Sequence, residues 1–154
     1  MQLSEPLQFL KEIHETGVRY LLIGRQAVIA YGGPMYSMDY DIYIDGSKEN
    51  TNQLLAVAKK FDLHPSAQRE QLHTSFMFKL ENDFMIDVFR ARAFGTKEGK
   101  ITFDEIFQRR NVLEGETGLK INVPSIDDLI ALKRLRSLPK DLNDIEYLEA
   151  LKKR

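Results

Sequence analysis

The stretch RYLLIGRQAVIAYGGPMYSMDYDIYID, residues 19–45, contains the pattern that decides the fold. Its first part, Arg19 to Gly24, is a short continuous apolar run that predicts a strand buried on both faces. Residues Gln26 to Tyr31 predict a short helix, which Gly32-Gly33-Pro34 ends because glycine adopts a left-handed cap and proline cannot continue a helix. A second strand is predicted from Asp39 to Asp45, where residues two apart point the same way.

Outside this stretch, helical and strand patterns mix without strict alternation, repeats or a long linker. Helices are predicted at Ser4–Glu15, Lys48–Phe61, Phe103–Gln108, Ser125–Ser137 and Asp141–Leu151, and strands at Ser75–Leu80, Phe84–Phe89 and on both sides of Gly115–Gly118. The last helix carries Leu142, Ile145 and Leu148 on one apolar stripe. We therefore predict an α+β fold, a small mixed β-sheet with helices packed on it and a C-terminal helical pair. We expect one domain over residues 1–154, with residues 125–154 as a C-terminal helical extension.

The composition is that of an ordinary globular protein. The chain has 154 residues, of which 43% are hydrophobic and 29% charged, so it can bury a core of its own. Its net charge of -1 gives no strong attraction to nucleic acids or anionic membranes. It has no cysteine, which excludes disulfides and thiolate metal sites. No signal-peptide pattern or membrane-length apolar run occurs, so we expect a cytoplasmic protein with no membrane partner.

Two carboxylates lie two residues apart on the second predicted strand. Asp39 and Asp41 therefore share a face. Bare neighbouring carboxylates repel each other, whereas Mg²⁺ prefers oxygen ligands and typically binds one or two carboxylates together with phosphate oxygens. The alternative is a solvated pair at a sheet edge, because an isolated Asp-x-Asp is common. The spacing by itself leaves both interpretations open.

A third carboxylate, Asp87, interrupts the otherwise apolar strand Phe84–Phe89. A charge in such a strand is costly unless it is paired or bound to a metal. Alternation also allows Asp87 to lie on a wet face, but it would share that face with the apolar Met85 and Phe89, which makes this alternative the weaker one. If this strand lies near Asp39, three carboxylates converge, as two-metal catalysis requires.

Two further features point to a phosphate-binding cleft. Gly24 after a buried strand lets another group approach the backbone closely, and the start of the next helix offers unpaired N–H groups. Lys133 lies in an apolar stripe with Leu129 and Ile130. Either its stem lets the ammonium reach water, or the ammonium is aimed into a cleft. Both interpretations of Lys133 stay open.

Together these features resemble the nucleotidyltransferase superfamily that includes DNA polymerase beta, and within it the compact bacterial AbiEii-type toxins and MNT antitoxins. The family pattern is a strand, Gly-Gly or Gly-Ser, a short helix, a glycine and then Asp-x-Asp on the next strand, with a third Asp on a later strand. The matching segments are YLLIGRQA at 20–27, YGGPMYSMDYD at 31–41 and IDV at 86–88, and the family's tail is matched by VPSIDDLIALK at 123–133 and PKDLND at 139–144. The resemblance thus covers about residues 18–148.

The resemblance implies transfer of a nucleoside monophosphate from an NTP to an acceptor hydroxyl, within a toxin–antitoxin system. By resemblance the acceptor is a protein side chain or an RNA end, and a partner is expected because the chain is short. The resemblance assigns catalysis and the binding of Mg²⁺ or Mn²⁺ to Asp39, Asp41 and Asp87, and NTP binding to Gly24, Arg25, Ser37 and Lys133.

The chain departs from the family pattern at two positions. Arg25 stands where the family usually has a second Gly or a Ser that contacts the triphosphate, and Met35 stands where many relatives have Arg. Arg25 could grip phosphate through its planar fork, or it could fill the space that phosphate needs. Two alternatives to the enzyme therefore stay open. One is a catalytically degenerate module that binds a partner protein or a nucleotide, and the other is a stable α+β domain whose aspartates are solvated.

Overall fold

The computed structural model describes residues 3–67, 71–73, 76–90, 94–96, 99–136 and 139–154. The helices are α1 (Glu5–Glu15), α2 (Gly24–Ala30), α3 (Lys48–Lys60), α4 (Phe103–Gln108), α5 (Ile126–Arg136) and α6 (Pro139–Lys152). The strands are β1 (Tyr20–Ile23), β2 (Tyr40–Ile44), β3 (His64–Pro65), β4 (Met77–Glu81), β5 (Met85–Arg90), β6 (Phe94–Thr96), β7 (Gly99–Ile101), β8 (Asn111–Glu114) and β9 (Lys120–Val123). The elements predicted from the sequence are present with ends shifted by at most two residues, the predicted ends at Ser75 and Ser137 lie outside the described residues, and β3, β6 and β7 were not predicted.

Five strands form one mixed sheet in the order β1-β2-β5-β4-β3. β1 and β2 are antiparallel, β2 and β5 are parallel, and the remaining pairs are antiparallel. β6 with β7 and β8 with β9 form two separate antiparallel pairs. This mixed sheet and its helices confirm the α+β prediction.

Both faces of the centre of the sheet are covered. Ile42 and Ile44 of β2 are fully buried in the main core, which also contains buried residues of α1, α2 and α3. Between them, Tyr43 points to the opposite face and packs in a second cluster with Phe103, the two rings lying 5.1 Å apart and almost perpendicular. The period of two therefore places Asp41, two residues before Tyr43, on the face of the sheet that carries this second cluster.

Asn50 fixes β1 relative to β2 at the end of the sheet away from Asp41. Its side-chain amide donates to the carbonyl oxygens of Arg19 (3.0 Å) and Asp45 (2.8 Å). Its Oδ1 accepts from the backbone N–H of Arg19 at 2.8 Å, and the side chain is buried. Because one side chain satisfies three backbone groups, the register of β1 against β2 is firmly set at this end.

The C-terminal helical pair is present, but its packing differs from the expected apolar stripe. Ser125 caps α5 as predicted, since its Oγ accepts from the backbone N–H of Asp128 at 3.2 Å. α6 begins at Pro139, a residue that suits the first turn of a helix. Leu148 is buried, but Leu142 is 65% exposed, so the prediction of one apolar stripe through Leu142 was wrong. The buried part of α6 is shared with two aspartates described below.

Within the described residues, no helix is both long enough and apolar enough to span a bilayer.

Candidate active site

Two of the predicted site carboxylates are neighbours across the sheet. β2 and β5 are parallel, and their register pairs Asp41 directly with Asp87. Neighbouring strands are about 4.8 Å apart, so the two side chains rise side by side from one face. Both residues are half-buried. The period of two predicted which residues of its own strand share a face with each aspartate. The pairing of β2 with β5 then brings Asp41 and Asp87 together.

Asp39 lies just outside this pair. The strand begins at Tyr40 and not at Asp39 as expected, because the Asp39 N–H donates to the Oγ of Ser37 (3.1 Å) in a local turn. Asp39 is exposed. Burial, and to a smaller extent Tyr36, raises the pKa of Tyr40 above its usual value, so this hydroxyl stays protonated at neutral pH.

All three aspartates line one cleft with a volume of about 420 Å³. We call it the carboxylate cleft, and its lining residues are Arg25, Tyr36, Ser37, Met38, Asp39, Asp41, Asp87 and Phe89. Tyr36 and Met38 are 79% and 77% exposed and stand at its solvent side. The cleft therefore combines three carboxylates, a guanidinium and the hydroxyls of Tyr36 and Ser37 within reach of solvent.

One oxygen of Asp87 is buried and receives no hydrogen bond from the part of the chain that the structure describes. Its Oδ1 has no hydrogen-bond partner among the described residues. A buried, unsatisfied carboxylate oxygen is costly, and such an atom in a folded protein is commonly explained by an ion or an ordered water. The orphaned atom lies on the face that also carries Asp41, which makes it a natural ligand for a cation.

The carboxylate oxygens of the three aspartates are the type of ligand that suits a divalent metal. Three carboxylates offer the hard oxygen ligands that Mg²⁺ prefers, and Asp87 has an oxygen to spare. No group of three or more His, Asp or Glu side chains in the described ranges is already assembled as a metal site. Since Asp39 is exposed and outside the strand, its carboxylate is not held in place by the sheet.

Gly24 allows the Asp41 carboxylate to lie against the backbone. Gly24 has a φ of +69°, and a Cβ built on it would lie 2.6 Å from Oδ2 of Asp41. The left-handed conformation disfavours any other residue at this position, and a side chain here would displace the Asp41 carboxylate. The sequence predicted that another group lies close to the Gly24 backbone. The Asp41 carboxylate lies there.

Arg25 and Lys133 take part in a cluster of four charges, which we call the ion cluster (Arg25, Lys133, Asp141 and Asp144). The Lys133 ammonium donates to Oδ2 of Asp144 at 3.0 Å and lies 3.7 Å from Oδ1 of Asp141. Nε and Nη2 of Arg25 lie 3.4 and 3.3 Å from Oδ1 of Asp144. The lysine and both aspartates are almost fully buried, whereas the Arg25 side chain is 29% exposed.

The contacts of Lys133 match neither of the two arrangements that the sequence left open, an ammonium in water or one aimed into a cleft. The Lys133 ammonium neither reaches water nor stands unpaired at a cleft, because two buried carboxylates surround it. Sequence reasoning missed Asp141 and Asp144, although their i,i+3 spacing on α6 places them on one helix face. That spacing, opposite a lysine in an apolar stripe, was the signal that could have found them.

A second cleft opens beside the first and has a volume of about 270 Å³. We call it the apolar cleft, and its lining residues are Ile23, Gly24, Asp41, Phe76, Phe89, Leu129, Leu132, Lys133 and Leu135. It lies between the sheet and α5. It shares Asp41 and Phe89 with the carboxylate cleft. The predicted site residues therefore divide, with Arg25, Ser37, Asp39 and Asp87 on the carboxylate cleft, Gly24 and Lys133 on the apolar cleft, and Asp41 on both.

Comparison with known proteins gives matches in structure only. No protein-family model and no curated protein sequence matches the chain. The lincosamide antibiotic adenylyltransferase LnuA, solved with lincomycin bound, superposes with a TM-score of 0.66 at 16% identity, covering 97% of this chain and 98% of LnuA. ANT(2'')-Ia in complex with adenylyl-2''-tobramycin has a TM-score of 0.62 at 15% identity, covering 94% and 88%.

A third similar structure is a proposed nucleotidyltransferase from Thermotoga maritima. It has a TM-score of 0.60 at 20% identity, and the match covers 99% of this chain and 94% of that one. In all three cases nearly the whole of each chain is matched, so the likeness includes the sheet and the C-terminal helices. The chain has the nucleotidyltransferase fold.

Proposed function

We propose that this chain transfers a nucleoside monophosphate from an NTP to an acceptor hydroxyl and releases pyrophosphate. The observation that carries the proposal is the pairing of Asp41 with Asp87 on adjacent parallel strands, with Asp39 on the same cleft. Carboxylates gathered in this way are suited to divalent metal and phosphate chemistry. The nucleotidyltransferase fold supports the same reaction class.

Asp39, Asp41 and Asp87 would hold Mg²⁺ or Mn²⁺. When bound, such an ion supplies neutralisation of the charge on the phosphates. The acceptor oxygen attacks the α-phosphorus, so that an O–P bond forms while the bond from the α-phosphorus to the oxygen bridging to the β-phosphate breaks. Pyrophosphate leaves with that electron pair. The Asp87 carboxylate, with a buried oxygen that has no hydrogen bond from the described residues, would accept the proton of the acceptor hydroxyl.

The nucleotide would bind along Gly24, Arg25 and Ser37. Arg25 and Ser37 both line the carboxylate cleft, and a guanidinium and a hydroxyl are suitable donors for phosphate oxygens. Lys133 would affect nucleotide binding indirectly, because its ammonium binds the same Asp144 carboxylate as Arg25. The chain's main contribution would be to position the reacting groups.

The acceptor and the biological setting are the finer part of the proposal. The sequence resemblance favours a protein side chain or an RNA end within a toxin–antitoxin system of the AbiEii type. LnuA and ANT(2'')-Ia were solved with lincomycin and adenylyl-2''-tobramycin, which adds small-molecule hydroxyls to the candidates. A hydroxyl is the feature that these acceptors share.

A second candidate function is a degenerate module that binds a nucleotide or a partner protein without chemistry. The observation in its favour is that Arg25, which replaces a small residue of the family pattern, is engaged by Asp144. Such a module would tolerate the loss of its carboxylates. Retained partner binding in an Asp39→Ala/Asp87→Ala double variant would support it.

The transfer reaction can be tested with NTPs labelled at the α-phosphate, incubated with the purified chain and, in separate reactions, with RNA, protein extract and a set of small-molecule alcohols. We expect incorporation that requires Mg²⁺ or Mn²⁺ and that is lost in Asp41→Asn. Asp83→Asn, an exposed aspartate in the β4–β5 turn, is the matched control and should keep full transfer. Full transfer in Asp41→Asn would exclude this site.

A further inference from the structure

The apolar cleft is adjacent to the carboxylate cleft, and most of its lining residues have no role in the reaction above. The two clefts share the Asp41 and Phe89 side chains, so a ligand in one can touch a ligand in the other. The apolar cleft has a volume of about 270 Å³, close to the lower end of the roughly 300–1,000 Å³ that is usual for small-molecule sites. It therefore suits one compact molecule or one part of a larger substrate.

The lining of the apolar cleft selects against anionic ligands. Phe76 and Phe89 form an edge-to-face pair with ring centroids 6.0 Å apart, and Leu132 and Leu135 of α5 face the same space. Lys133 is a charged lining residue, but its ammonium is bound by Asp144 at 3.0 Å. The other charged lining residue is Asp41, whose carboxylate repels anions when it holds no metal ion. Phosphates and carboxylates gain little here, whereas an uncharged apolar body buries its surface.

We propose that the apolar cleft binds the uncharged apolar body of the acceptor, which is a small-molecule alcohol or phenol. This inference rests on the proposed transfer reaction. Asp87 and Phe89 lie two residues apart on β5 and point to the same face, about 7 Å apart. A compact molecule packed against Phe89 thus places a hydroxyl within reach of Asp87. An RNA end would bring several phosphates to a cleft whose one cation among the described lining residues, Lys133, is already bound by Asp144, and the edge of a nucleobase would need more polar partners than this lining offers.

The test uses a matched pair of probes on the full chain, 2-naphthylmethanol and 2-naphthoate, followed by ligand-observed NMR. We expect the alcohol to bind and the carboxylate to bind at least about tenfold more weakly. Leu135→Trp fills the mouth of the cleft and should weaken alcohol binding about tenfold or more. Leu142→Trp is the control, because Leu142 is an exposed leucine of the same helical pair outside the cleft lining. It should leave alcohol binding unchanged.

Two companion titrations separate this inference from the proposed function. Mg²⁺–tripolyphosphate tests the carboxylate cleft alone, and its failure to bind would count against the transfer reaction whatever the alcohol does. Mg²⁺–ATP tests for a nucleobase in the apolar cleft, and we expect its affinity to be the same in Leu135→Trp and the wild type. The inference is overturned if Leu135→Trp weakens ATP but not the alcohol, if the two naphthyl probes bind equally, or if neither probe binds.

Discussion

Replacing Lys133 by Met removes a buried ammonium while keeping the length of the side chain. The Lys133 side chain is 3% exposed and those of Asp141 and Asp144 are fully buried, so the change leaves two carboxylates without their nearest cation. Removing one partner of a buried ion pair typically costs about 3–5 kcal/mol. Against a total stability of about 5–15 kcal/mol for a domain, that loss is large and measurable.

Arg25 provides the internal comparison. Its side chain is 29% exposed and its bonds to Asp144 are long, at 3.3 and 3.4 Å, so Arg25→Met should cost about 1 kcal/mol or less. The double variant Lys133→Met/Asp144→Leu removes one cation and one anion together. It should be more stable than Lys133→Met by at least about 1 kcal/mol, because no new unpaired charge is left at Asp144.

Equilibrium urea unfolding followed by circular dichroism measures all three variants, with unchanged m-values as the sign that only stability differs. A loss below about 1 kcal/mol for Lys133→Met would refute the assignment of Lys133 to a buried ion pair. If that variant were as stable as the wild type but no longer bound NTP, Lys133 would instead contact the nucleotide directly, as the sequence resemblance implies.

Three further predictions follow from single residues. Gly24→Ala and Gly118→Ala both place a side chain at positive φ (+69° and +75°), so each should cost about 1–2 kcal/mol in urea unfolding. Only Gly24→Ala displaces the Asp41 carboxylate, so only this variant should weaken Mg²⁺–NTP binding in calorimetry. Asn50→Ala removes the side-chain partner of the Arg19 N–H and the Asp45 carbonyl, while the Arg19 carbonyl keeps the Asp45 N–H at 3.2 Å, and should cost about 1–3 kcal/mol in the same unfolding assay; a neutral effect would contradict the assigned contacts. Burial, assisted by neighbouring cations, lowers the pKa of His14 below its usual 6.5, so the folded state holds fewer protons there than the unfolded state and stability should fall as the pH drops below about 6.5. That pH-dependent loss should be smaller in His14→Gln, and equal slopes in the two proteins would refute it.

The local part of the fold was predictable because it depends on short-range physics. The run before Gly24, the glycine stop at Gly32 and the alternation from Tyr40 to Ile44 each determine an element through steric and hydrophobic patterns a few residues long. The boundary at Asp39 was wrong by one residue, because a hydrogen bond to Ser37 competes with the sheet at that point. β3 was missed because a strand of two residues is too short to show a period.

The site was only partly predictable because it depends on long-range pairing. That Asp41 and Asp87 are adjacent requires β2 and β5 to be parallel neighbours in one register, which no local pattern specifies. The ion cluster likewise joins residues from α2, α5 and α6. The pairing of its two aspartates is apparent only once Lys133 is known to lie opposite them. The choice of aspartates could therefore be made from the sequence, whereas their distances and the apolar cleft could not.

The measurement that tests the central claim most directly is calorimetric titration of the chain with each NTP in Mg²⁺, repeated with EDTA. Asp41→Asn and Asp83→Asn serve as the site variant and its control. We expect saturable binding of at least one NTP that EDTA abolishes, that Asp41→Asn weakens at least about tenfold and that Asp83→Asn leaves unchanged. Absence of binding for every NTP, or equal binding in Asp41→Asn and wild type, would contradict the assignment of the carboxylate cleft as a metal-dependent nucleotide site.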